Sequence, residues 1–195
     1  MLGAELVIRL AEQCAPQAAP QTLLAIARVE SGLDPLVIGV NRPVARRVRS
    51  ATVEEAAAQA KALIAAGANV DLGLVQINSA NLHRLGLSVS EAFNPCRNLA
   101  AGATLLQGDY LSARGAWPDP QAALRSALSL YNTGDVARGI RNGYVARVVV
   151  AAAGQQARAS GSPAQAPAPA PWDVFGQVRT ATFVLSPTLN LQGAR

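Results

Sequence analysis

Residues 20–35 read PQTLLAIARVESGLDP, and the fold turns on how this stretch is placed. Pro20 suits the first position of a helix, because its missing N–H has no intrahelical partner there in any case. Leu23, Ile26 and Ala27 then fall on one face, and Ser31-Gly32 ahead of Pro35 ends the run. Glu30 follows those apolar residues by seven, four and three positions, so its carboxylate lies on the buried face at the helix C-terminus. Desolvation there favours the protonated form, and the negative end of the helix dipole acts in the same direction. A carboxyl that keeps its proton near neutral pH is what protonation of a glycosidic oxygen requires, but the pattern alone fits a partly exposed last-turn glutamate at least as well.

Outward from this segment the pattern stays helical. Residues 3–13 form a first helix, with Leu6 and Leu10 one turn apart. Residues 36–51 read as an irregular arginine-rich loop. Thr52 and Glu55 make a capping box that opens a helix to about Ala66, stopped by Gly67. Residues 68–78 are polar with Val70, Leu72 and Leu74 alternating, a pattern that can hold a short hairpin. A short helix over 79–85 ends at Gly86, and Ser88 with Glu91 suggests another cap.

A longer helix after Asn94-Pro95 places Leu99, Ala103, Leu106 and Tyr110 on one stripe. The next begins at Pro120, with Leu124, Leu128 and Tyr131 spaced for burial, and a last helix is expected from Asn142 to Ala153. Half of the 195 residues are hydrophobic but only 4% are aromatic, a balance dominated by Ala and Leu that favours helices. The expectation is a mainly α domain over residues 1–153, with a small loop or β-hairpin beside a cleft. Residues 154–171, rich in Ala and Pro, read as a semi-rigid linker. Residues 172–195 are too short for a core and read either as a partner-binding strand or as a plain tail.

Composition excludes several chemistries. His83 is the sole histidine, and Cys14 and Cys96 are the two cysteines, so a zinc site would need nearly all of them together. No phosphate-cradling glycine motif is present, and a Ser-His-Asp triad would depend on His83 in a polar stretch. The net charge of +5 comes almost wholly from arginine, clustered only at Arg42, Arg46, Arg47 and Arg49. No aromatic-and-basic platform for nucleic acid accompanies them, and a solvated loop explains the cluster. No apolar run reaches the ~18 residues of a membrane span. Glu5 and Arg9 interrupt the N-terminal stretch, so no secretory signal is visible in this sequence.

Four motifs stand in register: Ala27-Arg28-Val29-Glu30-Ser31-Gly32 with Asp34-Pro35; Asp71-Leu72-Gly73-Leu74-Val75-Gln76-Ile77-Asn78; Phe93-Asn94-Pro95-Cys96-Arg97-Asn98-Leu99 continuing to Gly102; and Ala127-Leu128-Ser129-Leu130-Tyr131-Asn132-Thr133-Gly134. In these the chain resembles lytic transglycosylases of the soluble, lysozyme-like superfamily, over about residues 10–150. The resemblance is closest to members serving type IV secretion and conjugation machines. Val75 stands where relatives often carry methionine.

That resemblance implies a lysozyme-like α+β fold, peptidoglycan glycan strands as substrate and a periplasmic site of action. It implies no cofactor and no metal. Glu30 becomes the single acid and base, closing a 1,6-anhydromuramic ring with the sugar's own 6-hydroxyl. Ser31, Gln76, Asn78, Tyr131 and Asn132 become substrate-binding residues. From residue chemistry alone, Gln76 and Asn78 serve equally as turn-forming side chains, and Tyr131 equally as a core aromatic with a wet tip. Asp71 is the tempting second carboxylate, but the resemblance makes it a loop-structuring residue. An oxidising compartment favours a Cys14–Cys96 disulfide over two buried thiols. The alternatives are a hydrolytic muramidase and a non-catalytic wall-binding scaffold. The tail is the candidate contact to secretion or conjugation components.

Overall fold

A computed structural model of the chain describes residues 1–42 and 44–159, with side chains through residue 154. Among these, seven α-helices accompany a four-stranded antiparallel sheet, and the architecture is mainly α and lysozyme-like. The expected linker and tail lie beyond residue 159 for the most part, outside the described residues.

The central helix, α2 (Pro20–Glu30), begins at its proline. It buries Leu23, Ile26 and Ala27 as the spacing requires, and also Leu24 and Ala25. A helix apolar all round must be enclosed, and α2 packs against α1 (Ala4–Cys14), α4 (Pro95–Arg114) and α7 (Tyr144–Ala159). The stripe of α4 is buried as read: Leu99, Ala103, Leu106 and Tyr110 are each at most 1% exposed. α4 starts under an Asn94 cap that accepts from the Arg97 N–H at 3.1 Å. It packs along α5 (Pro120–Thr133), which Asp119 caps through the N–H groups of Gln121 and Ala122. Capping-box chemistry opens α3 (Val53–Ala65): Thr52 accepts from the Glu55 N–H, and the Glu55 carboxylate returns to the Ala51 N–H.

Cys14 and Cys96 form a disulfide, with Cα atoms 5.4 Å apart, that ties the end of α1 to the start of α4. Closing 82 residues of chain restricts the unfolded ensemble by about 4.5 kcal/mol in the loop-entropy picture.

Three local expectations need correction. The arginine-rich segment is a hairpin, β1 (Val37–Arg42) and β2 (Arg46–Arg49), and not a loop. Its register is held from outside, because β1 also pairs with β3 (Asn69–Leu72). The 79–85 helix contracts to a single 3-10 turn at Ser79–Asn81. The last helix starts at Tyr144, after a short α6 (Arg138–Arg141), and runs through Ala159, past the glycine at 154 where the linker was placed. The hairpin expected in residues 68–78 is present, as β3 and β4 (Ile77–Asn78). No helix of the described residues is long and apolar enough to cross a membrane.

The sheet order is β2-β1-β3-β4. One face, carrying Ile38, Val40, Val70 and Leu72, is buried in the core. The other carries Gly39, Asn41, Asn69, Asp71 and Asn78, and it opens onto a cavity.

Candidate active site

The cavity measures about 460 Å³ and lies between the sheet, the end of α2 and the end of α5. Glu30, Gln76, Asn78, Tyr131 and Asn132 all line it, together with Asp71, Asn41, Asn69 and Asn81. Four of the five expected binding residues are therefore brought to the candidate acid. Ser31 is not. It is fully buried, and its hydroxyl faces the carbonyls of Leu74 (2.7 Å) and Ala27 (3.0 Å). Ser31 thus pins the end of α2 to the β3–β4 turn, holding the backbone that carries Glu30.

Glu30 is half-buried at the C-terminus of α2. Desolvation is the main cause raising its pKa, from 4.5 to about 7, and the neighbouring Asp71 adds to it. A hydrogen bond from Tyr144 and the charges of Arg47 and Arg147 act in the opposite direction without prevailing. The Tyr144 hydroxyl donates to Glu30 Oε1 at 2.6 Å. That engages one carboxyl oxygen and leaves Oε2 for the proton. Arg147 sits over the Tyr144 ring, 5.9 Å from its centroid, and donates to the Asn142 carbonyl.

Across the cavity, Asp71 is clamped by amides. Asn41 Nδ2 donates to its Oδ2 and Asn78 Nδ2 to its Oδ1, each at 2.7 Å. The same two amides bond Asn69 Oδ1 at 2.9 Å. Burial raises the Asp71 pKa, and the two amide donors partly offset this. Asp71, expected to structure a loop, thus organises strand β3 and also presents its carboxyl group to the same cavity as Glu30.

Gln76 holds a positive φ of 53° in the β3–β4 turn. Its Nε2 donates to the carbonyls of Gly73 (2.8 Å) and Val37 (3.2 Å), which leaves Oε1 as an acceptor. Asn78 Oδ1 caps the following turn at the Ala80 N–H, and the side chain also lines the cavity. Tyr131 is likewise wall and anchor, donating to the Val75 carbonyl at 2.7 Å. That approach needs Gly102, where a Cβ would stand 2.5 Å from Val75 Cγ2 and 3.2 Å from the Tyr131 oxygen. Asn98, fully buried, fixes the turn by accepting from the Val75 N–H and donating to the carbonyls of Leu72 and Ala92.

Sequence reasoning missed Tyr144, Asn41 and Asn69. Asn41 lies in a stretch read as loop, and Tyr144 falls in the expected last helix, where no spacing sets it apart. The Asn142-Gly143 pair before Tyr144 was a usable signal, since Asn142 accepts from the Tyr144 N–H and starts α7 there. His83 is exposed, outside the cavity. Among the described residues no cluster of His, Cys, Asp and Glu is arranged to hold a metal ion.

The half-buried Glu30 carboxyl thus faces a cleft lined largely by amides. Residues 8–146 match the family described as the transglycosylase SLT domain. The chain belongs to this family. It is 41% identical over 151 residues to the type IV secretion system protein virB1 of Brucella abortus, covering 73% of this chain and 62% of that protein. It is 42% identical over 142 residues to protein virB1 of Agrobacterium fabrum, covering 73% of this chain and 57% of the relative. The chain therefore spans about three-fifths of the length of these curated relatives. No solved structure matches this transglycosylase SLT chain.

Proposed function

We propose that the chain is a peptidoglycan lytic transglycosylase that cleaves the β-1,4 bond between N-acetylmuramic acid and N-acetylglucosamine. The observation that carries this reading is Glu30: an acid with a pKa of about 7, one oxygen bound by Tyr144, at the wall of an amide-lined cavity. The protonated carboxyl donates to the bridging oxygen, and the C1–O bond breaks as the leaving sugar takes that proton as its 4-hydroxyl. The resulting carboxylate then removes the proton of the muramic 6-hydroxyl, whose oxygen attacks C1 and closes the 1,6-anhydro ring. Both proton transfers suit a group titrating near neutrality. An intramolecular nucleophile has a high effective molarity, so no activated water is needed.

Asp71, held on both oxygens by amides, faces the positive charge that develops at the anomeric carbon. Gln76 Oε1, Asn78 and Asn132 supply donors and acceptors for hydroxyl and acetamido groups. The second carboxylate in the cavity also favours a second reading, hydrolysis by the two-carboxylate route. Digestion of purified peptidoglycan with mass analysis separates them. Anhydro-muropeptides, one water lighter than hydrolysis products, are the expected result; reducing ends alone convert the assignment to a muramidase. A non-catalytic wall-binding scaffold is the outcome if neither product forms.

Similarity to virB1 proteins supports a periplasmic role in opening the wall for a type IV secretion or conjugation apparatus. Residues 172–195, outside the described residues, are the candidate segment for docking to such components. Unchanged co-purification after their deletion would remove that part of the reading.

A further inference from the structure

One row of paired residues crosses the cavity face of the sheet: Arg47 on β2, Gly39 on β1, Asp71 on β3 and Asn78 on β4. Residues paired directly across strands project to the same face. Asp71 and Asn78 line the cavity. At Gly39 a Cβ would stand 2.6 Å from Gln76 Oε1 and 3.8 Å from Asp71 Oδ2, so the bare glycine makes room for the Gln76 carboxamide that lies over it. The next side chain outward along the row is Arg47, on the edge strand.

Arg47 is exposed and, among the described residues, forms no ion pair and no side-chain hydrogen bond. Its neighbours differ. Arg49, two residues along the same face, is ion-paired with Asp34. Arg46 pairs with Val40, which is buried, and so belongs to the opposite face. Arg147, the other cation whose field reaches Glu30, is committed to the Tyr144 ring and the Asn142 carbonyl. The cavity wall itself contains carboxylates, amides, hydroxyls and apolar groups but no cation.

The acid gains nothing from Arg47, because a positive charge favours loss of the very proton that burial retains. Protection of an exposed sheet edge explains a charge on β2, but Arg46 meets that need equally well from the other face. What Arg47 adds is a planar fork of donors at the β2 end of the row that leads into the cleft, matched in shape to a carboxylate.

Resting on the proposed glycan substrate, we infer that Arg47 forms a carboxylate-binding subsite at the β2 edge of the cleft. Its ligands are the acidic groups attached to the glycan: the lactyl carboxylate of a bare muramic residue, or the carboxylates of a peptide stem. Placed beyond Gly39, it offsets the repulsion that Asp71 exerts on an acidic strand and fixes which side chain of the strand lies along β2.

Binding is measured with the full chain carrying Glu30→Gln, so that turnover does not intrude. Three glycan oligomers serve as probes: stem-bearing, amidase-stripped, and stripped with the lactyl carboxylate blocked as a methylamide. Adding Arg47→Ala is expected to weaken binding about tenfold to at least one of the first two, and to leave the blocked strand unaffected. Loss on stem-bearing strands identifies stem carboxylates, and loss on stripped strands identifies the lactyl group. Arg46→Ala, which removes the same charge from the opposite face, is expected to match the parent. Equal binding with and without Arg47 on all three strands overturns the subsite, as does an equal loss from Arg46→Ala. Either result leaves the proposed reaction standing. That reaction falls separately, if the unsubstituted chain releases no product.

Discussion

Tyr144 and Glu30 are 114 residues apart in sequence and 2.6 Å apart in the fold, the tyrosine hydroxyl donating to the carboxyl oxygen. The contact joins the first turn of α7 to the last turn of α2, so the packing of two helices sets the orientation of the candidate acid. Helix packing tolerates little adjustment at such a contact. The carboxyl is therefore held in place before any ligand arrives.

Tyr144→Phe tests that contact. The hydroxyl lowers the Glu30 pKa, so its loss should move the alkaline limb of the pH–activity curve upward. Activity at the optimum should fall roughly tenfold to a hundredfold, because the acid is no longer oriented. An unshifted limb with unchanged kcat would show that the hydrogen bond has no part in the reaction.

Asp71→Asn should shift the same limb the other way. The Asp71 charge helps to raise the Glu30 pKa, so an uncharged amide lets Glu30 ionise at lower pH. Under the proposed mechanism, loss of this carboxylate should also reduce kcat, by about a hundredfold. A variant with a normal pH profile and kcat would reduce Asp71 to its strand-structuring bonds.

Glu30 should also make stability depend on pH. Its folded pKa of about 7 exceeds the ordinary 4.5, so the folded chain holds the proton more tightly than the unfolded chain does. Stability is then greatest below about pH 4.5, declines as pH rises towards 7, and levels off above it. Glu30→Gln removes the ionisation. It should match the parent at pH 4 and exceed it at pH 8, by roughly 3 kcal/mol at most. Thermal melts at both pH values decide this, and an identical difference at each would contradict the burial of charge.

Gly102→Ala should damage both stability and the cleft. The added methyl meets Val75 Cγ2 at 2.5 Å and the Tyr131 oxygen at 3.2 Å, an overpacking that costs about 1–3 kcal/mol. Because the two neighbours are joined by the Tyr131–Val75 hydrogen bond, relief of the clash must displace the cavity wall. Activity should therefore fall at temperatures where the variant is still folded. A lower Tm with full activity would mean that the wall yields elsewhere.

Much of this was legible before folding was considered. The α2 and α4 stripes, the cap at Thr52, the helix starts at Asn94-Pro95 and Pro120, and the place of Glu30 on an apolar face at a helix end follow from interactions within a few residues of each other. Residue order and helical geometry are enough to read them. The β1–β2 hairpin was not legible, because its arginines hide the alternation and its register depends on β3, some thirty residues on. Asn41 and Asn69 gained their role only when strands brought them to Asp71. Ser31, expected to support the reacting sugar or to hydrogen-bond nearby, does the second, because packing turns it inward to the Leu74 carbonyl. The candidate acid was thus written locally, at the end of α2. Its hydrogen-bond partner, the second carboxylate across the cavity and the cation at the β2 edge were decided by long-range closure, which brings together groups that no sequence spacing relates.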